Sequence, residues 1–446
     1  MTVAEWARNL DGAAAGTERV AAGTEMHALM TELYPIGRSI TGDGIRTTLK
    51  RIAREVPLTL VEVPTGTPVF DWTVPREWNV RDAYVANARG ERVIDYRRSS
   101  LHLVGYSVPV RARMTLDELR PHLYTLPEHP GWVPFRTSYY RETWGFCLSY
   151  DALTRLDDGE YEVVIDATLA DGSLTYGEWL HEGERPEEIL VSTHCCHPAL
   201  ANDNLSGIAL ATALGRRLAA CRTRYSYRFL FLPGTIGSIT WLARNEAAAG
   251  RIAHGLVVTC VGDRGALTYK RTRRGDAELD RAVVHVLRQS GRPHEIVDFF
   301  PWGYDERQYS SPGFDLAVGS LSRTPHGKYP EYHTSADDLG FVSPEALADS
   351  LHAYLEVLAV LEGNQRYVST NPKCEPQLGK RGLYRAVGGQ AGMPKELPLL
   401  WVLNLADGRH SLLDVAERAR LPFAEIRTAA DALASAGLLV ETPHAL

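Results

Sequence analysis

Between residues 190 and 207 the chain reads LVSTHCCHPALANDNLSG: an apolar run ends on His194, a second histidine follows at 197, and Asp203 stands between two asparagines. A histidine at a strand end and a carboxylate in the loop behind it make half of a metal site, because imidazole and carboxylate are the donors catalytic zinc takes. The other half must come from elsewhere in the chain, and two residues qualify: Asp263 in TCVGDRG and His333 in PEYHTSADD. A carboxylate in such a set can bridge two ions. Taken singly, each has an ordinary explanation, since a lone histidine is usually a hydrogen-bonded structural residue and a strand-end aspartate a helix cap. His197 is placed either to supply a further ligand or to orient the loop by a hydrogen bond. Cys195 and Cys196 would point to opposite faces of a continued strand, so they cannot both face one ion.

These residues need a scaffold that brings distant segments together. From about residue 160 onward, apolar strands (YEVVIDATL, EILVSTH, YRFLFLPG, GLVVTCVG) alternate with amphipathic helices (LSGIALATALGRRLAAC, SITWLARNEAA, AELDRAVVHVLRQSG). That pattern predicts an α/β fold with a mainly parallel, mixed sheet covered by helices on both faces. In such sheets chemistry gathers beyond the carboxyl ends of the strands, where THCCHP, LPGTIGS and VGDRG all fall. Helices around residues 25–60 and the strand LTLVEVP precede a stretch of short β-branched and aromatic segments broken by Gly, Pro and Asp. The reading divides the chain into a metal-binding domain (20–66 and 165–365), an inserted β-rich domain (67–164) and a linker with a winged-helix outline (366–446).

Composition narrows the partners. The 446 residues carry 48 Lys+Arg against 55 Asp+Glu, a formal net charge of −7 without a basic field for nucleic acid or anionic lipid. Between Ser411 and Val440 the acids Asp414, Glu417, Glu425 and Asp431 outnumber Arg418, Arg420 and Arg427, so the winged helix is expected to serve packing or dimerisation rather than DNA. The N-terminus lacks the pattern of a signal peptide, no apolar run is long enough to span a bilayer, and six cysteines form no spaced disulfide framework. The expectation is a cytoplasmic protein with a small peptide or aminoacyl substrate, further copies of itself as partners, and neither membrane nor specific nucleic acid.

The order STH, ANDNLSG, LPGTIGS, VGD and YHTS resembles the co-catalytic zinc aminopeptidases. The whole chain is similar to aminopeptidase-like proteins that carry a β-rich insertion and a C-terminal winged helix, through WTVPREWNV, TSYY, WGFC, HCCHPALANDNLSG, DERQ, CEPQLGKRGLY and LLWVLNLADG. The resemblance implies one or two zinc ions, with Asp203 bridging, Asp263 and His333 completing the first site, and His194 on the second. It also exposes a departure. Where those relatives keep a glutamate that activates water, this chain has Gly234 followed by Thr235. A general base contributes about 10²- to 10⁴-fold, so ordinary peptidase turnover should suffer.

Two expectations follow. Glu306 in GYDERQYSSPG is the candidate substitute acid, with Tyr304, Asp305, Arg307 and Tyr332 as candidate substrate contacts and Arg307 suited to clamp a carboxylate. The function expected is metal-dependent hydrolysis of an amide in a small peptide or aminoacyl compound. The alternatives are a repurposed metalloenzyme of natural-product or polysaccharide biosynthesis without ordinary peptidase activity, and an inactive metal-binding scaffold or regulator.

Overall fold

A computed structural model describes residues 15–383 and 396–442. Eight strands form the central sheet: β1 (Thr59–Pro64), β2 (Ser173–His181), β3 (Glu188–His194), β4 (Ser226–Leu232), β5 (Ile252–Val258), β6 (Leu267–Lys270), β7 (His294–Val297) and β8 (Val318–Ser322). Their order is β1-β2-β4-β3-β5-β8-β6-β7. The centre is parallel, β3 pairing with β4 and β5, and β5 with β8, while β1, β2 and the β6–β8 pairing are antiparallel. Every residue of β3 and β4 is buried, which is why both read as unbroken apolar runs rather than alternating ones.

Neighbouring residues of β3 face opposite layers. Ile189 and Val191 pack with helices α1 (Ala15–Leu33), α2 (Asp43–Ile52), α3 (Gly207–Leu218), α5 (Glu278–Gln289) and α6 (Pro344–Gly363). Leu190 points the other way, toward Ile236, Ile239 and Trp241 of α4 (Ile236–Arg244). That second layer is completed by the inserted segment, whose Val85, Ile94, Phe146, Val163 and Ile165 share the same core. The insertion is therefore packed onto the sheet, not tethered beside it.

Most of the insertion hangs on a four-stranded antiparallel sheet in the order Arg92–Asp95, Glu77–Ala86, Glu160–Ala170, Val110–Thr115. The segment YEVVIDATL, read from sequence as the first strand of the central sheet, lies here instead. Val163 and Ile165 face the core while Glu162 and Asp166 lie on the other side, the alternation of a one-side-solvated antiparallel strand. Among the described residues no helix is long and apolar enough to cross a membrane.

The C-terminal part of the chain is a winged helix: α7 (Leu397–Leu405), α8 (Leu412–Ala419) and α9 (Phe423–Ser435), with a three-stranded sheet centred on Arg366–Ser369. Residues 384–395 and 443–446 of the stretch assigned to it from sequence lie outside the described residues. Arg281 of α5 bonds Asp414 and Glu417 of α8 at 2.6 and 2.5 Å, holding the unit to the body. On α9, Arg427 is spent on Asp431, Gln365 and the Gly363 carbonyl.

Candidate metal centre

β3 delivers His194 at its carboxyl end, and the loop that follows returns Asp203 to it before α3 begins. Two side chains hold that loop. The Asp337 carboxylate accepts from the backbone N–H of Asn202 and Asp203 at 2.5 and 3.0 Å. Asn204 Nδ2 donates to Thr193 Oγ1 at 2.9 Å and to the His194 carbonyl at 3.0 Å, tying the loop to the strand it left. His333 arrives on a separate loop in a left-handed backbone conformation (φ 56°), a strained state that persists only where the surroundings impose it. The insertion does so: Phe135 N–H donates to the His333 carbonyl at 2.7 Å, and Ser335 N–H to the Val133 carbonyl at 2.8 Å.

Three imidazoles meet one carboxylate. His194 Nε2 lies 2.8 Å from Asp203 Oδ1, His333 Nε2 lies 2.9 Å from Oδ2, and His197 Nδ1 lies 3.3 Å from Oδ2. The donor atoms of His194, His197 and Asp203 all fall within 4.8 Å of one another. Burial pushes the His194 pKa down to about 4 and that of His333 below its ordinary value, so both rings are neutral and able to donate a lone pair. Burial opposes ionisation of Asp203, but His197 and His194 outweigh it and hold the carboxyl well below its usual range.

Whether the set suits a metal can be judged from His197. Its Nδ1 is buried without a hydrogen-bond partner although a carboxylate oxygen lies 3.3 Å away. Atoms that close but misaligned for a hydrogen bond are converging on a common point rather than on each other, as ligands do. Neutral imidazoles with one ionised carboxylate are the donor set of zinc.

The structure brings together three of the four metal residues read from sequence and adds a fourth. Asp263 stands apart. Its carboxylate accepts from Gly265 N–H (2.6 Å), Thr324 Oγ1 (2.7 Å), Asn202 Nδ2 (3.0 Å) and Thr324 N–H (3.1 Å), so both oxygens hold loops in place. His197 fills out the cluster; only its spacing from His194 marked it in sequence.

The residues of the GYDERQ segment divide in the same way. Glu306 is buried against Lys270 Nζ at 2.9 Å and accepts the Tyr304 N–H at 3.0 Å, so it braces the segment and is not a free acid at the cluster. Asp305 is buried behind the wall, accepting from Thr235 N–H (2.7 Å) and Ser238 Oγ (2.8 Å), with its pKa raised by burial to about 7. Arg307 is half-buried with an unpartnered Nε and does not line the cavity over the cluster. Tyr332 stacks on His333 with ring centres 3.9 Å apart. Tyr304 also reaches the cluster, stacked on His194 at 3.8 Å with its hydroxyl 3.3 Å from His197 Nε2.

Tyr304 also explains Gly234. A Cβ placed on residue 234 would sit 2.2 Å from the Tyr304 hydroxyl oxygen and 2.3 Å from Cε1. The volume a side chain at 234 would take, where the resembled relatives keep their glutamate, is occupied by a phenol from another loop. Over the cluster opens a cavity of about 340 Å³, walled by His197, His333, Gly234 and Tyr304 below and by Trp72, Phe135, Arg136, Tyr139 and Tyr140 of the insertion above. The aromatics of TSYYRETWGF, of types that more often form core than pocket, place Tyr139 and Tyr140 in this wall, while Trp144 does not line it.

Known proteins place this architecture. Residues 27–364 match the family described as a domain of unknown function (DUF4910), and residues 365–441 match a winged helix-turn-helix. A Clostridium acetobutylicum protein, provisionally named a polysaccharide biosynthesis protein with aminopeptidase-like domain, is 54% identical over 408 residues, 91% of this chain and 94% of that one. The crystal structure of a provisionally named peptidase from Clostridium acetobutylicum superposes with a TM-score of 0.92 at 52% identity, covering 96% of this chain and 98% of that one. A zinc aminopeptidase from Bacillus subtilis shares the fold at a TM-score of 0.54 and 12% identity, over 75% of this chain and 94% of its own. With more than half of its length matched and a relative above half identity, the chain belongs to the DUF4910 family, an aminopeptidase-like fold followed by a winged helix.

Proposed function

We propose that this protein is a zinc-dependent enzyme that cleaves an amide in a small compound other than an ordinary peptide, within polysaccharide biosynthesis. One observation carries the reading: beside a cluster of three histidines and Asp203, the phenol of Tyr304 fills the volume that a side chain at Gly234 would need. His194, His197, His333 and Asp203 would hold the ion, which when bound supplies Lewis acidity to an amide carbonyl. With Nδ1 turned to that site, His197 carries its ring proton on Nε2 and donates it to the Tyr304 oxygen, 3.3 Å away. The phenol's own proton is then free to point into the cavity, where it stabilises the oxyanion formed as the amide carbon becomes tetrahedral. Water is consumed: its hydroxyl bonds to the acyl carbon and its other proton goes to the leaving nitrogen, so the C–N bond breaks to give a carboxylic acid and an amine.

One feature argues against aminopeptidase turnover: among the described residues no Asp or Glu lines the cavity, so the α-ammonium of a peptide would enter a largely aromatic wall without a counter-charge. Support for a biosynthetic setting comes from the name of the 54%-identical relative.

The test uses zinc-loaded protein with two substrate sets, aminoacyl anilides and N-acylated sugar derivatives. Tyr304→Phe keeps its zinc and loses about 10²- to 10³-fold in turnover of the accepted amide, the size expected for one oxyanion donor. Efficient hydrolysis of leucine anilide by the unaltered protein would overturn the reading.

A further inference from the structure

The mouth of the cavity is built for a particular kind of guest. Trp72 and Tyr140 are 44% and 55% exposed, yet their rings lie 5.4 Å apart, tilted by 56°, and both line the cavity over the metal cluster. A large aromatic pair left in water at a cavity rim, instead of packing into the adjacent core, is a recognition surface. Its geometry suits a ring that is apolar on its faces and polar at its edge. A sugar is such a ring: its C–H bonds rest on an aromatic face while its hydroxyls stay hydrated. A hydrocarbon side chain would instead call for an enclosed pocket.

Charge narrows the guest further. Arg136 lines the same cavity, is exposed, and among the described residues has no carboxylate within ion-pairing distance; its guanidinium sits over the Tyr124 ring at 4.7 Å. Among the described residues no Asp or Glu lines the cavity. Of the acids beneath, Asp203 is already contacted by three histidines, and Asp305 accepts from the Thr235 N–H and the Ser238 hydroxyl. Such a wall repels a free ammonium and attracts an anion.

We infer that the cavity binds an N-acylated amino sugar bearing an anionic group, with the ring on Trp72 and Tyr140, the anion at Arg136 and the acyl amide toward Tyr304 and the histidine cluster. This rests on the reading of the site as an amide-cleaving centre, and it adds the substrate class.

Binding is measured without turnover, by calorimetric titration of the full chain in metal-free and zinc-loaded forms. The probes are N-acetylglucosamine 1-phosphate, neutral N-acetylglucosamine and leucinamide. The sugar phosphate binds most tightly, and leucinamide, with its free ammonium, most weakly. Trp72→Ala weakens both sugars about tenfold, as loss of one ring contact would. Arg136→Gln weakens only the phosphorylated one. Absence of sugar phosphate binding, tighter binding of leucinamide, or an affinity unchanged in both variants would overturn the inference. Sugar phosphate binding with no amide cleavage would leave it standing and sink the proposed reaction, whereas cleavage of a non-sugar amide without sugar binding would do the reverse.

Discussion

Restoring a carboxylate by Gly234→Glu is the change that the aminopeptidase resemblance suggests most directly, and the structure says it fails alone. The new Cβ would lie 2.2, 2.3 and 2.5 Å from the hydroxyl oxygen, Cε1 and Cζ of Tyr304, well inside van der Waals contact. Tyr304 must leave, giving up its stacking on His194 and its contact with His197. Overpacking costs about 1–3 kcal/mol, the lost ring pair about 0.5–1.5 and the lost hydrogen bond about 1, so destabilisation of about 2–6 kcal/mol is expected. Because the clash begins at Cβ, Gly234→Ala should show much of it. Tyr304→Ala removes the obstacle, and Gly234→Glu combined with it should be more stable than the two single effects add up to, by about the size of the clash. Urea unfolding of the four proteins gives that coupling energy directly, with zinc content and leucine anilide hydrolysis measured alongside. A Gly234→Glu protein as stable as the unaltered one, or single and double variants that simply add, would refute the claim that Tyr304 fills this volume.

Asp203→Ala should abolish zinc binding, since His194, His197 and His333 all converge on that carboxylate; elemental analysis of the purified variant decides it. Glu306→Gln should destabilise the fold by about 3–5 kcal/mol in denaturant, as expected when Lys270 loses its buried partner, while leaving zinc content intact. Asp305 has a folded pKa of about 7, raised by burial from 3.8, so the native state binds its proton more tightly than the unfolded chain does. Stability should accordingly fall as pH rises from about 4 to about 7 and level off above; Asp305→Asn should flatten that slope in thermal unfolding, and an unchanged slope would exclude Asp305 as its source. The full chain should show no sequence-selective retardation of duplex DNA at low salt, because the arginine of α9 is already engaged and Glu425 and Asp431 lie exposed on the same helix.

Much of this was legible in the residues. Unbroken apolar strands can be buried only in a sheet covered on both faces, so EILVSTH and YRFLFLPG announced the central sheet and placed His194 and Gly234 at its carboxyl edge. The spacing of His194, Asp203 and His333 marked donors that the fold does unite. What the sequence could not decide was which way polar side chains face once loops from distant segments meet. Asp263 satisfies loop N–H groups and hydroxyls, and Glu306 satisfies a buried lysine, because a buried carboxylate takes the nearest donors and those are fixed only by tertiary contacts. His197 joins the cluster because the loop after β3 folds back on itself. The absence of a side chain at 234 was visible in the sequence, but that the space is taken by Tyr304, seventy residues on, follows from two loops crossing over one strand end, a fact of packing with no local signature.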